Sequence, residues 1–365
     1  MNNPSLGLKQ KSQNYQLLQG RLTAAKWISM REPEVGREIA ELEKDSMFQD
    51  LLYGAPGLNP IVKRMRWPAS SIHSGFYELN DGIVAASGES DIQDILHAKE
   101  ELIEVIRGIG IEAFEKYFLY GEEGLPLAHA CRELALSEEQ GRAIMDLVLK
   151  VGTRSEFFRP TLSAETSGIR YHCIASIEKD IREPDNLFFR FLSPHWARGK
   201  YVIAYERLEE WKSERAGDTA QRRRLRKLLK RVELLNMRQD TLFQILSRAT
   251  NAQSSFLRSR MKARRRPLSL RELARRIGVA PSTVSRSIAN RSVELPWSEE
   301  VPIKELLSGQ RVVVLSILQD WHDAGGLGKG VTDEMLMRRL AEETGINVSR
   351  RTINDCRRKL PHSGP

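Results

Sequence analysis

The sequence predicts a mainly α, multi-domain helical protein that contains a helix-turn-helix domain and a C-terminal three-helix domain. Three observations indicate this fold class. The chain of 365 residues is longer than one ordinary domain. Apolar residues recur at i, i+3, i+4 and i+7 in several separate stretches. Aromatic residues make up 7% of the chain and hydrophobic residues 41%, a balance that suits a helix-rich protein.

The composition excludes several classes of protein. No stretch approaches the roughly 20 apolar residues that a transmembrane helix needs. The N-terminal residues 1–5 have neither the basic nor the apolar segment of a secretory signal. The three cysteines, Cys131, Cys173 and Cys356, are too few for a disulfide framework. We therefore expect a cytoplasmic protein with no membrane partner.

The positive charge of the chain is concentrated in one segment. The net charge is +9, from 57 Lys and Arg against 48 Asp and Glu. Residues 221–290 carry +16, whereas residues 1–220 carry −7 and residues 291–365 are neutral. A basic segment of this density attracts polyphosphate, because neutralised phosphates release condensed counterions. The alternative is a solvated helix surface, but this segment also holds a structured motif.

Apolar spacing and the positions of Gly and Pro divide the remaining chain. Residues 52–62 are rich in Gly and Pro and indicate a linker. Residues 91–151 have a helical pattern, and residues 152–200 lose it, which leaves strands and irregular structure both open. Residues 219–262 lack Gly and Pro and could form one long helix. An amphipathic helix near the N-terminus is predicted by the spacing of Val35, Ile39 and Leu42.

Residues 269–290 carry the strongest motif of the sequence. Ser269 and Glu272 have the spacing of a capping box, which starts a helix. Gly278 ends that helix, because glycine accepts the positive φ of a sharp turn. A proline then suits the first turn of a second helix, residues 281–290. The pattern predicts a helix-turn-helix with this second helix as the recognition helix.

Polar side chains on the second helix are the candidate DNA contacts. They are Ser282, Thr283, Ser285, Arg286, Asn290 and Arg291. An arginine can pair bidentately with guanine, and hydroxyls near the start of the helix can reach phosphates or base edges. The candidate contacts to the phosphate backbone are Arg264, Arg265 and Arg266. An ordinary helical hairpin with a polar face is the alternative, but a hairpin does not need this combination of residues.

Residues 301–365 are predicted to form a small three-helix unit. Thr332 has the position of an N-cap for the second helix, with Asp333 and Glu334 in its first turn. Apolar residues at helical spacing give the three helices inner faces: Val314, Ile317, Leu318 and Trp321, then Leu336 and Leu340, then Ile353, Cys356 and Leu360.

Two motifs in a fixed order give the sequence a family resemblance. The first is the helix-turn-helix with its flanks, Arg238-Gln239-Asp240-Thr241-Leu242 before it and Leu295-Pro296 after it. The second, Ser349-Arg350-Arg351-Thr352-Ile353-Asn354-Asp355-Cys356-Arg357, resembles the RpoN box, Ala-Arg-Arg-Thr-Val-Ala-Lys-Tyr-Arg-Glu. The chain therefore resembles the bacterial RNA polymerase sigma-54 factor family, as a divergent member in which Asp355-Cys356 replaces Lys-Tyr.

The resemblance implies a domain order and a set of DNA contacts. The domains would be an N-terminal Gln/Leu-rich activator-responsive region (1–50), a linker (51–70), a divergent core-polymerase-binding domain (71–215), the long helix with the helix-turn-helix (216–300) and the RpoN-box domain (301–365). The box would read the GG of the −24 promoter element, and the helix-turn-helix would work near the −12 element. The box residues expected on DNA are Arg350, Arg351, Thr352, Asn354 and Arg357.

The resemblance also implies partners and a role. The partners would be core RNA polymerase, promoter DNA and an AAA+ activator ATPase, at the bacterial nucleoid. The implied function is a sigma-54-type initiation factor, and the alternative is a stand-alone DNA-binding regulator derived from that family. No catalytic constellation emerges, and no cofactor or metal is expected. The glycines of residues 325–330 lack the spacing of a phosphate-binding loop, so we expect a plain loop there.

Overall fold

The structure of the protein is a computed structural model. The structure describes residues 19–54, 59–73, 99–121, 125–152, 162–163, 170–180, 183, 186–215, 219–327 and 330–360. Helices dominate, as predicted, and within these residues no helix is long and apolar enough to cross a membrane. Residues 328–329, inside the predicted glycine loop, lie outside the described residues.

The first half of the chain is built from short helices. They are α1 (19–29), α2 (Glu32–Lys44), α3 (Ser46–Tyr53), α4 (Glu100–Ile109), α5 (Ile111–Phe114, continued by a π-helix over Glu115–Tyr120), α6 (Leu127–Glu133), α7 (Glu138–Gly152), α8 (Pro194–Ala197) and α9 (Tyr205–Arg215). Val35, Ile39 and Leu42 are buried on α2, so the predicted amphipathic helix is confirmed.

The second half carries the long helix and both DNA-binding motifs. Its helices are α10 (Thr219–Ala252), α11 (Ser254–Ser259), α12 (Leu270–Ile277), α13 (Pro281–Ile288), α14 (Gln310–Asp323), α15 (Asp333–Thr344) and α16 (Arg350–Arg357), with 3-10 turns at Lys262–Arg264 and Ile303–Leu306. The long helix predicted over 219–262 is broken at Gln253, whose side chain bonds the carbonyl oxygens of Arg266 and Leu306 at 2.7 and 3.1 Å.

Strands occur in the described part of residues 152–200, which the sequence left open, and on both sides of it. They are β1 (Val62–Met65), β2 (Ser70–Ile72), β3 (Leu162–Ser163), β4 (Arg170–Lys179), β5 (Leu187–Phe191), β6 (Lys200–Ile203), β7 (Arg291–Glu294) and β8 (Glu300–Pro302). In the described residues β1 pairs with β6, and a second sheet has the order β2-β5-β4-β7-β8, with β3 on β4. The predicted linker therefore contains β1 and the start of β2. The domain boundaries remain predictions.

The second sheet joins the two halves of the chain. Strand β7 directly follows the recognition helix and pairs parallel with β4, where His172 lies opposite Arg291. Leu273, Val284 and Ile288 of the helix-turn-helix belong to the same hydrophobic core as the sheet residues. The helix-turn-helix is consequently packed against the front half of the protein and is not an independent domain joined to it by a linker.

The C-terminal helices α14, α15 and α16 have a core of their own. The apolar inner faces predicted for them are buried, from Val314 on α14 to Leu360 just after α16. Thr332 caps α15, because its hydroxyl accepts a hydrogen bond from the Met335 N–H at 3.3 Å. The predicted three-helix unit is therefore confirmed.

Candidate nucleic-acid interface

The turn between α12 and α13 is built from local signals. The Ser269 hydroxyl accepts a hydrogen bond from the Glu272 N–H at 3.2 Å and so caps α12. Gly278 ends α12 with φ +83°, a left-handed conformation that favours glycine. Pro281 occupies the first turn of α13, where its missing N–H costs nothing. The predicted helix-turn-helix is present, with a recognition helix that ends at Ile288.

The outer face of α13 presents most of the predicted contacts to solvent. Ser282, Ser285 and Arg286 are exposed, and Thr283 is half-buried. The carbonyl oxygen of Thr283 accepts a hydrogen bond from the Ser287 hydroxyl at 2.9 Å. Asn290 is exposed just after the helix, with a left-handed φ of +58°. These side chains form a polar surface around one arginine, which is the chemistry that major-groove recognition uses. Their contact with DNA remains a prediction.

Arg291 is the exception. Its side chain is 3% exposed, and its guanidinium bonds the carbonyl oxygens of Ser287 and Met30, the latter at 2.8 Å. Its Nε donates to Glu32 at 2.6 Å. The structure does not support the prediction that Arg291 contacts DNA, because the side chain is already bonded inside the protein. Arg291 instead ties the C-terminal end of the recognition helix to the start of α2.

Glu32 is the centre of a buried network between distant parts of the chain. It binds Arg291, Arg238 of α10 at 2.5 Å and the Trp196 indole N–H at 2.9 Å. Burial opposes the charge of Glu32, but the two guanidiniums lower its pKa from 4.5 to about 2. The carboxylate therefore stays ionised and holds both cations. This network could not be predicted from the sequence, because an acidic residue in the first turn of a helix is already explained by its favourable interaction with the helix dipole.

A second buried carboxylate repeats this arrangement nearby. Glu43, at the end of α2, binds Arg64 and Arg198 at 2.8 and 2.9 Å and accepts a hydrogen bond from Tyr201. Burial raises the pKa of this carboxyl, but the two arginines lower it to about 2 overall. The C-terminal end of α2 is thus anchored by ion pairs within the front half, and its N-terminal end by ion pairs to α10 and to β7, just after the recognition helix.

The three arginines before the helix-turn-helix have different surroundings. Arg264 is exposed, as a phosphate contact requires. Arg265 lies over the Phe256 ring at 4.5 Å, and Arg266 donates to the carbonyl oxygen of Thr344 at 2.9 Å. Arg266 therefore links the segment before the helix-turn-helix to α15, and Arg264 is the residue most accessible to a phosphate.

The RpoN-box helix α16 begins with exposed arginines. The Ser349 hydroxyl caps it by accepting a hydrogen bond from the Thr352 N–H at 3.3 Å. Arg350 and Arg351 are exposed in the first turn, and Arg350 lies 3.5 Å from Glu334 in a surface ion pair. Such surface pairs are weak and easily exchanged. Arg351 is thus the best-placed side chain of the box for a base contact.

Asp333 engages two further polar residues of the box. It binds Arg357 at 3.0 Å and Asn354 at 3.2 Å. Desolvation acts against the charge of Asp333, but the hydrogen bonds from Arg357 and Asn354 lower its pKa. Both side chains are half-buried, so they are not the freely outward-facing groups that the sequence predicted. To contact DNA, each of these two side chains must either release Asp333 or bind DNA while still bonded to it.

The two residues that depart from the family box have separate roles. Cys356 is 3% exposed and belongs to the C-terminal core, so this position does not lie on the outer face of α16 that DNA would contact. Asp355 is half-buried on the outer side and lies 3.7 Å from Arg311. The replacement of Lys by Asp355 is therefore the departure that changes the surface charge of α16.

The chain combines a helix-turn-helix with a second capped helix that exposes arginines, and its positive charge lies beside them. These features define a DNA-binding protein of the helix-turn-helix class. Residues 218–363 match the family model for the sigma-54 DNA-binding domain. The predicted resemblance to the sigma-54 family is therefore confirmed for this part of the chain.

Among solved structures, the chain is similar to a crystal structure of Aquifex aeolicus sigmaN bound to promoter DNA. It aligns with 78% of this chain and 90% of its own chain, at 17% sequence identity and a TM-score of 0.36. No curated protein sequence matches the chain.

Proposed function

We propose that the protein is a sigma-54-type transcription initiation factor. It binds core RNA polymerase, directs it to −12/−24 promoters, and holds the complex closed until an AAA+ activator acts. The observation that carries the proposal is the match of residues 218–363 to the sigma-54 DNA-binding domain. In this role the chain is a non-catalytic subunit that works in the bacterial cytoplasm, at the nucleoid.

In the proposed complex the two capped helices read the two promoter elements. Arg351, exposed in the first turn of α16, contacts the GG of the −24 element. Arg286, exposed on α13, works near the −12 element with Ser282 and Ser285. Two major-groove helices on one chain suit two elements that lie about one turn of DNA apart.

The front half contributes the polymerase contact in this proposal. Residues 1–217, which would make this contact, lie outside the family match. The second candidate follows from the same observation. A regulator that kept the sigma-54 DNA-binding domain and lost productive polymerase binding would also have a match confined to the C-terminal part.

A gel shift separates the two candidates. The full chain is incubated with a duplex that carries −24 GG and −12 GC elements, with and without core RNA polymerase. An initiation factor gives a supershifted ternary complex, whereas a stand-alone regulator shifts the duplex and recruits no polymerase. A failure to prefer this duplex over a scrambled one would contradict both. Transcription with and without an activator ATPase then tests whether the complex stays closed.

A further inference from the structure

One acidic side chain lies on the face of α16 that the proposed function turns toward DNA. Asp355 follows Arg351 by four residues, so the two side chains lie one turn apart on the same face of the helix. Ile353 and Cys356, which are buried in the C-terminal core, lie on the opposite side. Asp355 therefore shares the outer face of α16 with the arginine that is assigned to the −24 guanine.

The protein holds the side chain of Asp355 loosely. It is 40% exposed, and its carboxylate lies 3.7 Å from the guanidinium of Arg311, which is itself 71% exposed. A surface ion pair of this length contributes little to stability. By contrast, the Asp333 side chain is 11% exposed and binds Arg357 at 3.0 Å and Asn354 at 3.2 Å. Structural packing therefore explains the carboxylate at position 333 but not the one at position 355.

The base edges in the major groove restrict what a carboxylate can bind there. An ionised carboxylate accepts hydrogen bonds and cannot donate them. Guanine and thymine present acceptors in the major groove, and adenine presents an acceptor beside its amine. Cytosine presents a donor alone, its N4 amine. Cytosine is thus the base whose edge best complements the side chain of Asp355.

The spacing along α16 places this cytosine close to the guanine of Arg351. Four residues of an α-helix rise by about 6 Å, and successive base pairs are about 3.4 Å apart. When α16 lies in the major groove with Arg351 on a guanine, Asp355 is therefore within about two base-pair steps of that guanine. Both side chains can then reach base edges of one short element.

We propose that Asp355 is a specificity-determining residue, whose carboxylate accepts a hydrogen bond from the N4 amine of a cytosine near the guanine that Arg351 contacts. The proposal deepens the proposed function and rests on it, because it requires α16 to lie in the major groove. The element selected by α16 then combines a guanine bound by a cation with a cytosine bound by an anion.

The test uses the full chain and a set of duplexes that carry the −24 and −12 elements. The GG pairs of the −24 element and the two pairs on each side of them are changed, one position at a time, to every other base pair. Fluorescence anisotropy gives the dissociation constant for each duplex. The variants are Asp355→Ala, Asp355→Lys and Arg311→Ala. The matched control is Glu342→Ala, which removes an exposed carboxylate of α15.

We expect the parent protein to prefer cytosine at one of these positions by about 5- to 150-fold, as for other specific base contacts. Asp355→Ala should abolish this preference, because the other bases no longer place acceptors against a carboxylate. Asp355→Lys should reverse the preference toward guanine, since lysine donates to guanine O6 and N7. The Arg311 and Glu342 variants should keep the cytosine preference. Thermal unfolding shows whether every variant folds.

Three results would overturn the cytosine contact. A parent protein that prefers GG but has no cytosine preference excludes it. An affinity gain of Asp355→Ala that is equal on every duplex shows that the carboxylate repels DNA without contacting a base. Loss of the cytosine preference in Arg311→Ala shows that Asp355 acts through its ion pair. If the parent protein does not prefer GG, the proposed function fails as well, so the two failures are distinguishable.

Discussion

At the scale of single residues, Arg351 is the side chain on which the −24 assignment depends. It is exposed in the capped first turn of α16. We expect Arg351→Ala to weaken binding to a GG-containing duplex by about 1–3 kcal/mol, since it removes one bidentate arginine–guanine pair. Fluorescence anisotropy on GG and mutated probes measures this loss. Arg338→Ala, an exposed arginine on α15, is the control. Unchanged affinity for the GG probe in the Arg351 variant would remove the −24 assignment.

Arg286 gives the corresponding prediction for the recognition helix α13. Its replacement by alanine should reduce discrimination at the −12 element by about 1–3 kcal/mol and leave discrimination at −24 intact. Competition between duplexes mutated in one element at a time measures both. Loss confined to the −24 element would show that the two helices have been assigned to the wrong elements.

Single residues also show where sequence reasoning succeeds and where it fails. Ser269, Gly278 and Thr332 could be predicted, because each acts on backbone within three or four residues of itself. Arg291 could not, since its outward or inward direction depends on Glu32, which is 259 residues away in the chain. From the sequence alone, an arginine just after a recognition helix is typical of a DNA contact. Only the position of the buried Glu32 carboxylate shows that Arg291 points inward.

At the scale of elements, α2 positions the recognition helix through Glu32 and Arg291. We expect Glu32→Gln to destabilise the protein by about 3–5 kcal/mol, because Arg238 and Arg291 would be left buried without a counter-charge. Urea denaturation measures the change in the free energy of unfolding. Glu34→Gln, on an exposed position of the same helix turn, should have a much smaller effect.

The same substitution has a pH signature. The pKa of Glu32 is about 2 in the folded state and near 4.5 without its partners, so its stabilisation is complete above about pH 4.5 and is lost as the pH falls toward 2. The difference in unfolding free energy between parent and Glu32→Gln should therefore shrink below about pH 4.5. A difference that is constant from pH 7 to pH 3 would contradict the ion-pair origin.

Secondary structure was predictable where its signals are local. Helices α12 to α16 follow caps, glycine turns and apolar spacing that can be found in the sequence. The second sheet could not be predicted, because β4 pairs with the neighbouring β5 and also with β7, which begins only at Arg291, after the helix-turn-helix. Pairing over such a separation leaves no periodic signal beyond the loss of the helical pattern in residues 152–200.

At the scale of the whole molecule, the sequence suggests that residues 1–50 could be deleted without affecting DNA binding. The structure indicates otherwise. Removing them takes away Glu32, Glu43 and the apolar face of α2 that packs with Leu225 and Val232. We expect the deletion to lower the unfolding midpoint in urea and to weaken DNA binding, as Arg291 loses its partner. Deletion of residues 1–18, which removes none of the described contacts, is the control. If the protein without residues 1–50 were as stable as the parent, residues 1–50 would be a structurally separate region after all.

The pairing of β4 with β7 also bears on how the chain folds. Strand β4 ends at Lys179, but β7 begins at Arg291, after the complete helix-turn-helix. During synthesis, one edge of β4 must stay without its partner until residues 291–294 have left the ribosome, and such long-range pairing is slow. Unpaired strand edges promote aggregation. The front half expressed alone would leave this edge of β4 unpaired, and the C-terminal half alone would leave the matching edge of β7 unpaired. Solubility should therefore require both halves in one chain or both produced together.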